Sequence, residues 1–269
     1  MLVKINGQPY DAAGGTLHGL LQELAPKDRE LVVVLNGYQT DADMPLREND
    51  EIVWLPKRTP PDETQLETML TARHTPGVQA KLKQARVAVA GLGGLGSLIA
   101  LSLARCGVGH LHLIDFDTVE PTNLNRQQYR LEHLGQLKAV VMAREIAAIN
   151  PFIMVDAVCE RVTAHNTENL FRDDEIICEA FDDPATKAML VNTLLTRCPD
   201  KKLVAASGMA GYGDSNAITT KRIRDNFYLC GDGVTTAEPG CGLMAPRVAI
   251  CAGHQANTVL QLILHPPEK

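Results

Sequence analysis

An α/β fold with a mostly parallel sheet, preceded by a small β-rich domain, is what this sequence predicts. Three observations predict it. Apolar runs at residues 87–90, 111–114, 153–158, 175–179 and 203–206 alternate with stretches of helical periodicity, the order that builds a parallel sheet. The glycine run Gly91-Leu92-Gly93-Gly94-Leu95-Gly96 sits between the first of these strands and its helix. Ahead of them, residues 1–58 carry short strand patterns and two Asn-Gly turns.

In the first domain, Leu2-Val3-Lys4-Ile5 alternates as a strand does, and Asn6-Gly7 is a hairpin signal leading to a second strand. Thr16 is placed to cap a helix that carries Leu17, Leu20, Leu21 and Leu24 on one face. Leu31 to Leu35 is a buried strand ended by Asn36-Gly37, and Glu51 to Leu55 is the last strand, giving the order β-β-α-β-β. Residues 56–64 are proline-rich and polar, a linker. Two short helical patterns follow over 64–85, broken at Pro76-Gly77. The expected division is a β-rich domain over 1–58, a linker and helical entry segment over 59–84, and a nucleotide-binding domain over 85–269.

In the second domain, Val87-Ala88-Val89-Ala90 reads as a buried strand, and Leu98, Leu101, Leu103 and Ala104 as a helix that begins inside the glycine run. A helix is expected from Lys138 to about Ile149, and a short one holding Leu170 behind Thr163 or Thr167. Pro184 fits the first turn of a helix reaching Arg197. Residues 208–243 lose periodicity and are glycine-rich, with short strands at 217–220 and 227–229; such loops often act as lids. A final helix runs from Pro246 to Leu264.

Composition excludes several functions. At 269 residues the chain is long enough for about two domains or one large one, and a net charge of −6 argues against a nucleic-acid binder held by a basic surface. No run of 18 uninterrupted apolar residues is present to span a membrane. The start, MLVKINGQPY, lacks the layout of a secretion signal, so a cytoplasmic location is expected. The seven cysteines are scattered, odd in number and free of C-x-x-C spacing; they read as reduced thiols with no structural zinc site.

The strand–glycine–helix–strand order has specific chemistry. Glycines let the backbone turn tightly and let a phosphate approach peptide N–H groups, and the helix N-terminus behind them favours negative charge. Asp115, at the end of the next strand and 24 positions after Gly91, is placed to bind ribose hydroxyls. In a parallel sheet the ligand lies at the carboxyl ends of the strands, where the glycines, Asp115, Asp182 and Ser207 all fall. Alternatives remain open on these residues alone. The glycines could serve only helix–strand packing, Arg126 and Asp117 could form a surface ion pair, and Lys138 could be solvated. Asp182 or Asp183 could merely cap the helix opened by Pro184. A nicotinamide dehydrogenase is the plain reading of the glycine turn by itself.

The text GLGGLGS, LIDFDTVEPTNLNRQQY, LGQLK and FDD resembles the ThiF/MoeB family, bacterial relatives of ubiquitin-activating enzymes, over roughly residues 65–264. Gly208-Met209-Ala210-Gly211-Tyr212-Gly213 fits the ThiF branch better, and MAPRVAICAGHQANTVLQLIL resembles the closing helix. The resemblance implies a Rossmann-like fold and ATP-dependent adenylation of a carrier protein's C-terminal glycine. By the motif match, Arg126 and Lys138 would face the phosphates, Asn123 would hydrogen-bond the nucleotide, and Asp115 and Asp117 would belong to its site. Gly91, Gly93, Gly94 and Gly96 would form the phosphate turn, and Asp182 would position magnesium. Arg73 would reach a partner subunit's nucleotide, which implies a homodimer. Residues 1–56 resemble the ubiquitin-like (β-grasp) sulfur carrier ThiS, through Val34-Leu35-Asn36-Gly37 and NDEIVWL. Such carriers end in a reactive Gly-Gly carboxylate, whereas here Leu55 is followed by Pro56 and the chain continues. This domain is therefore expected to be carrier-shaped but not a carrier: a docking or regulatory module, or an appendage. The substrate would be a separate ThiS-like carrier ending in Gly-Gly, and the pathway thiamine thiazole synthesis. Cys230 and Cys241 lie in the late loop, where many relatives use a cysteine, but align with no such position.

Overall fold

The computed structural model describes residues 1–27, 30–74 and 77–265. The chain forms two compact units, Met1–Ala80 and Lys81–Lys269. Pro76, half of the expected helix break, lies outside the described residues.

The N-terminal unit is a five-stranded sheet in the order β2-β1-β5-β3-β4. Its strands are β1 (Leu2–Ile5), β2 (Gln8–Asp11), β3 (Leu31–Leu35), β4 (Tyr38–Gln39) and β5 (Glu51–Pro56). The pairings are antiparallel except β1 with β5, which run parallel. Asn6 and Asn36 have φ of 46° and 51°, followed by Gly7 at 80° and Gly37 at 84°, so both hairpins use the left-handed geometry that Asn-Gly favours. The strand β4 is absent from the expected order; two residues are too few to show an alternation in the sequence. Helix α1 (Leu17–Leu24) starts at Thr16, whose hydroxyl accepts from the Gly19 N–H. It covers one face of the sheet, where Val3, Leu17, Leu20, Val33, Ile52 and Trp54 form a core.

Helix α2 (Glu63–Arg73) covers the other face. Asp62 and Gln65 make a capping box at its start, and Ala72 packs on Val34 and Val53. Its last turn lies against the Asn36-Gly37 hairpin: a Cβ on Gly37 would sit 2.6 Å from the Ala72 carbonyl oxygen. Gly37→Ala is therefore expected to lose about 1–3 kcal/mol, from backbone strain and from displacing α2. Urea denaturation of the full chain checks this; an unchanged midpoint contradicts it.

The C-terminal unit is a seven-stranded sheet in the order β11-β12-β10-β9-β6-β7-β8. Its strands are β6 (Arg86–Ala90), β7 (His110–Ile114), β8 (Met154–Val158), β9 (Ile176–Glu179), β10 (Lys202–Ala206), β11 (Thr219–Arg224) and β12 (Phe227–Gly231). All pairings are parallel except β11 with β12, the antiparallel edge. The helices are α3 (Val78–Gln84), which crosses the unit boundary, α4 (Gly94–Arg105), α5 (Lys138–Ile149), α6 (Thr167–Leu170), α7 (Pro184–Arg197) and α8 (Ala245–Leu264). Central strands are buried on both faces, which is why β6 is apolar throughout instead of alternating. Ala88, Ala90, Ile177, Leu190, Leu194 and Phe171 form the core under α7. On the α4 side the chains touch closely: a Cβ on Gly96 would lie 1.8 Å from the Gly91 carbonyl oxygen and 3.2 Å from Val89. Gly96 is thus needed for helix–strand contact. Among the described residues, no helix is long and apolar enough to cross a membrane.

Candidate nucleotide site

A cavity of about 520 Å³ opens at the carboxyl ends of β6, β7, β9 and β10. The glycine turn forms its floor. Gly91 has φ of 91° and its N–H donates to the Ile114 carbonyl at 2.8 Å; a Cβ there would sit 2.9 Å from the Ala180 oxygen. Helix α4 begins at Gly94 with Gly93 as its N-cap, so no side chain covers the free N–H groups of the first turn. Three groups fix this turn from outside. Asp115 accepts from Leu92 N–H at 2.6 Å, the Tyr129 hydroxyl donates to the Leu92 carbonyl at 2.8 Å, and the Ser97 hydroxyl donates to the Gly93 carbonyl at 2.6 Å.

Gly91, Gly93, Gly94, Asp115, Asp117, Arg126, Lys138 and Asp182 all line this one cavity, although they are spread over 92 positions from 91 to 182. Asp115 is nearly buried and its second oxygen accepts from Asp117 N–H at 2.8 Å. Burial pushes its carboxyl above the usual range, while those two N–H groups and Lys138 pull the other way. Lys138, the first residue of α5, is buried, and its ammonium lies 3.5 Å from Asp117. The Arg126–Asp117 ion pair does not form. Arg126 instead donates to the Thr122 carbonyl at 3.1 Å and the Asn125 side chain at 2.9 Å, and among the described residues it has no acidic partner. Asp183 caps α7, accepting from Thr186 N–H at 2.7 Å, which leaves the neighbouring exposed Asp182 to face the cavity.

The remaining expected site residues lie elsewhere. Gly96 packs under the turn. Asn123 is buried; its side chain accepts from Glu120 N–H at 3.0 Å and closes a turn at Pro121–Asn123, off the cavity wall. Arg73 belongs to the N-terminal unit and donates to the Gly37 carbonyl at 3.1 Å. Cys230 is buried in β12 and burial raises its thiol, so it is a poor nucleophile near neutral pH. Cys241 is half-buried in the late loop. Among the described residues, no three His, Cys, Asp or Glu side chains cluster into an all-protein metal site.

Several groups in the cavity escaped the sequence reading. Lys187, on α7, lines it and holds both oxygens of Glu179 at 2.8 Å. Glu179 is fully buried at the end of β9 and also accepts from Phe181 N–H, thereby shaping the turn that carries Asp182. Burial raises the Glu179 carboxyl and Lys187 opposes this. The signal was an acid closing a buried strand with a lysine eight positions on, inside the next helix. Arg161 stacks 3.8 Å over the Phe116 ring, and both line the cavity. At the opposite, amino end of the strands, Arg86 joins buried Asp174 at 2.7 Å and Asp156 at 3.0 Å, with His112 on Asp174 and His110 on Asp156. That network lies off the cavity and is structural.

One wall depends on Asp232. It accepts from the N–H groups of Val234 and Thr235, from the Thr235 hydroxyl, and from Arg247 at 2.6 Å. Burial opposes its charge, but these donors outweigh burial and hold its carboxyl well below the ordinary range. The unfolded chain, with aspartates titrating near about 3.9, binds this proton more readily than the folded one. The stabilisation is therefore present above about pH 4 and lost as pH falls below it. Between about pH 5 and 3, Asp232→Asn is expected to lose less stability than wild type in urea titrations; equal losses contradict this.

A mostly parallel sheet with an uncapped glycine turn at its carboxyl edge, ringed by four cations and by Asp182, defines a nucleotide-binding α/β protein. The chain belongs to the ThiF family, whose family model matches residues 65–269; a ThiS-like ubiquitin model matches residues 1–57. The chain is similar to a molybdopterin-synthase adenylyltransferase of Salmonella typhimurium, 32% identical over 194 residues, covering 70% of this chain and 76% of that one. It is 36% identical over 199 residues to the adenylyltransferase and sulfurtransferase uba4 of Emericella nidulans, covering 69% and 41% of the two chains. With the tRNA threonylcarbamoyladenosine dehydratase of Haemophilus influenzae it shares 34% over 149 residues, 54% of this chain and 56% of that one. It thus spans well under two thirds of the last two relatives. The structure of the E. coli dehydratase in complex with ATP superposes with a TM-score of 0.66 at 25% identity, covering 72% of this chain and 92% of that one.

Proposed function

We propose that this protein uses ATP and magnesium to adenylate the C-terminal glycine of a separate ThiS-like carrier, preparing it to accept sulfur for the thiazole of thiamine. The observation that carries this reading is the meeting of the glycine turn with Arg126, Lys138, Lys187 and Asp182 in one cavity. The triphosphate brings roughly four negative charges, and more charge develops on pyrophosphate as it leaves. The α4 N-terminus and the Gly93–Gly94 amides bind phosphate oxygens. An oxygen of the carrier's terminal carboxylate attacks the α-phosphorus; a new P–O bond forms, the bond to the bridging oxygen breaks, and pyrophosphate departs with the electron pair. Arg126 and Lys138 are fixed cations that act where this charge grows, without reorganising. Magnesium would neutralise the phosphates, and Asp182 suits it because its carboxylate faces the cavity and has no ion-pair partner among the described residues.

The names of the Salmonella relative, and of a Thermus thermophilus sulfur carrier protein adenylyltransferase 34% identical over 123 residues, support this reaction class. The thiamine assignment rests on the ThiS-like N-terminus and the Gly208–Gly213 text. A homodimer in the cytoplasm, with Arg73 serving the partner subunit's nucleotide, completes the proposal; sedimentation tests the dimer. Intact-mass analysis after incubation with ATP, magnesium and a purified diglycine carrier tests the chemistry. An adenylate on the carrier supports it, and no adenylate on any such carrier overturns it. A second reading, in which residues 1–58 are a regulatory pseudo-carrier and the enzyme adenylates another acyl group, is favoured by two observations. The domain has no diglycine end, and the dehydratase relatives are named for a different substrate. Deleting residues 1–58 separates them: carrier turnover only after deletion favours the regulatory reading.

A further inference from the structure

The cavity is divided by charge. Every charged residue that lines it comes from the segment 91–187, whereas the lining residues from 206 onward are all uncharged: Ala206 to Ala210, Thr235 to Ala237, Leu243 and Val248. One half of the wall thus suits phosphates and a cation. The other half, neutral, suits the uncharged peptide part of a tail whose terminal carboxylate reaches the charged half. This neutral half is made mostly of irregular loop, crossed by isolated bridges such as Gly211 with Leu243 but, among the described residues, by no continuous ladder.

A buried ion pair holds it instead. Arg247, in the first turn of α8, and Asp232, just beyond β12, have side chains only 5% and 9% exposed and meet at 2.6 Å. Arg247 also donates to the Asp214 carbonyl at 2.7 Å, so one guanidinium ties both loop segments, 208–217 and 232–237, to the helix. Asp232 in turn fixes Val234 and Thr235 by their N–H groups and Thr235 by its hydroxyl. The segments also bond directly: Asp232 N–H donates to the Gly208 carbonyl and Gly233 N–H to the Ser207 carbonyl, each at 3.0 Å. Gly208, with φ of 80°, admits this approach, since a Cβ there would lie 2.0 Å from the Asp232 carboxylate. The pair lies off the cavity surface itself, and desolvating both charges is expensive unless their geometry serves something.

We propose that Arg247 and Asp232 are positioning residues that set the neutral wall of the cavity and thereby select the acyl tail, leaving the nucleotide half to the charged residues. This rests on the adenylation reading above. The test is a split between two constants. In Arg247→Lys and Asp232→Asn proteins, KM for a diglycine carrier in pyrophosphate exchange is expected to rise at least about tenfold. The affinity for ATP, read from thermal shifts with ATP and magnesium alone, is expected to stay within about twofold. Because these changes disturb buried charges and can impair folding, Thr235→Ala, which removes one of the Asp232 donors without stranding a charge, is made alongside. It is expected to raise carrier KM about threefold with unchanged ATP affinity. Faster proteolysis between residues 232 and 243 in these variants accompanies the effect. Carrier KM unchanged in Thr235→Ala and in any folded pair variant overturns the proposal, as does a rise in carrier KM matched by an equal loss of ATP affinity. Wild-type protein that shows no exchange with any diglycine carrier overturns the adenylation reading, and the tail-selecting role with it. Wild type that exchanges normally beside unaffected variants overturns the positioning role alone.

Discussion

Replacing Arg126 by alanine is expected to lower pyrophosphate exchange about a hundred- to a thousandfold, the loss seen when one fixed transition-state donor is removed. The thermal midpoint is expected to stay within a few degrees of wild type. The reason lies in its surroundings. Arg126 is half-buried and, among the described residues, bonds to the Thr122 carbonyl and the neutral Asn125 side chain with no acidic partner, so its removal strands no buried charge. Its stem lies near the first turn of α4: a Cβ on Gly94 would be 3.4 Å from Arg126 Cγ. Arg126 thus lines the cavity beside the glycine turn. Arg126→Lys is expected to recover only part of the rate, because a point charge replaces a planar fork. Exchange rates and melting curves on the same preparations check this. Parallel losses of rate and stability would make Arg126 a structural residue, and an unchanged rate would leave the protein a nucleotide-binding scaffold.

Glu179→Ala is expected to destabilise the chain by about 3–5 kcal/mol, the usual result of removing one member of a buried ion pair. The carboxylate is wholly buried and holds Lys187 through both oxygens and Phe181 through its N–H. Without it a cation stays partly buried, a backbone donor is orphaned, and the turn bearing Asp182 loses its brace. The double change Glu179→Gln and Lys187→Met removes both charges and keeps their volume, and is expected to recover most of the stability. It is not expected to recover ATP affinity, because Lys187 lines the nucleotide cavity. Urea denaturation and ATP-induced thermal shifts on the single and double variants separate the two roles. Full recovery of ATP affinity in the double variant would confine Lys187 to structure.

Much of this was legible because the fold relies on local signals. The buried strands, the Asn-Gly hairpins and the Pro184 helix start each announce themselves within a few residues. So did the floor of the site, since glycines between a strand and a helix have few other uses. What the sequence hid depends on distance. Glu179 and Lys187 are adjacent only after a strand, a turn and a helix are assembled, and Asp232 and Arg247 only after a loop has closed. Asn123 shows another limit: a short motif placed it beside functional neighbours, while its side-chain oxygen closes its own turn. The covering of the carrier-like sheet by α2 was also hidden. That helix has almost no apolar stripe, and its one buried residue, Ala72, gives a weak periodic signal.

The most direct test of the adenylation site is exchange of labelled pyrophosphate into ATP by the wild-type protein with magnesium and a ThiS-like carrier. Exchange with the intact carrier, and none with the same carrier lacking its two terminal glycines, is the predicted result. Exchange that is independent of the diglycine end, or absent with intact carrier while ATP still raises the melting temperature, would contradict it.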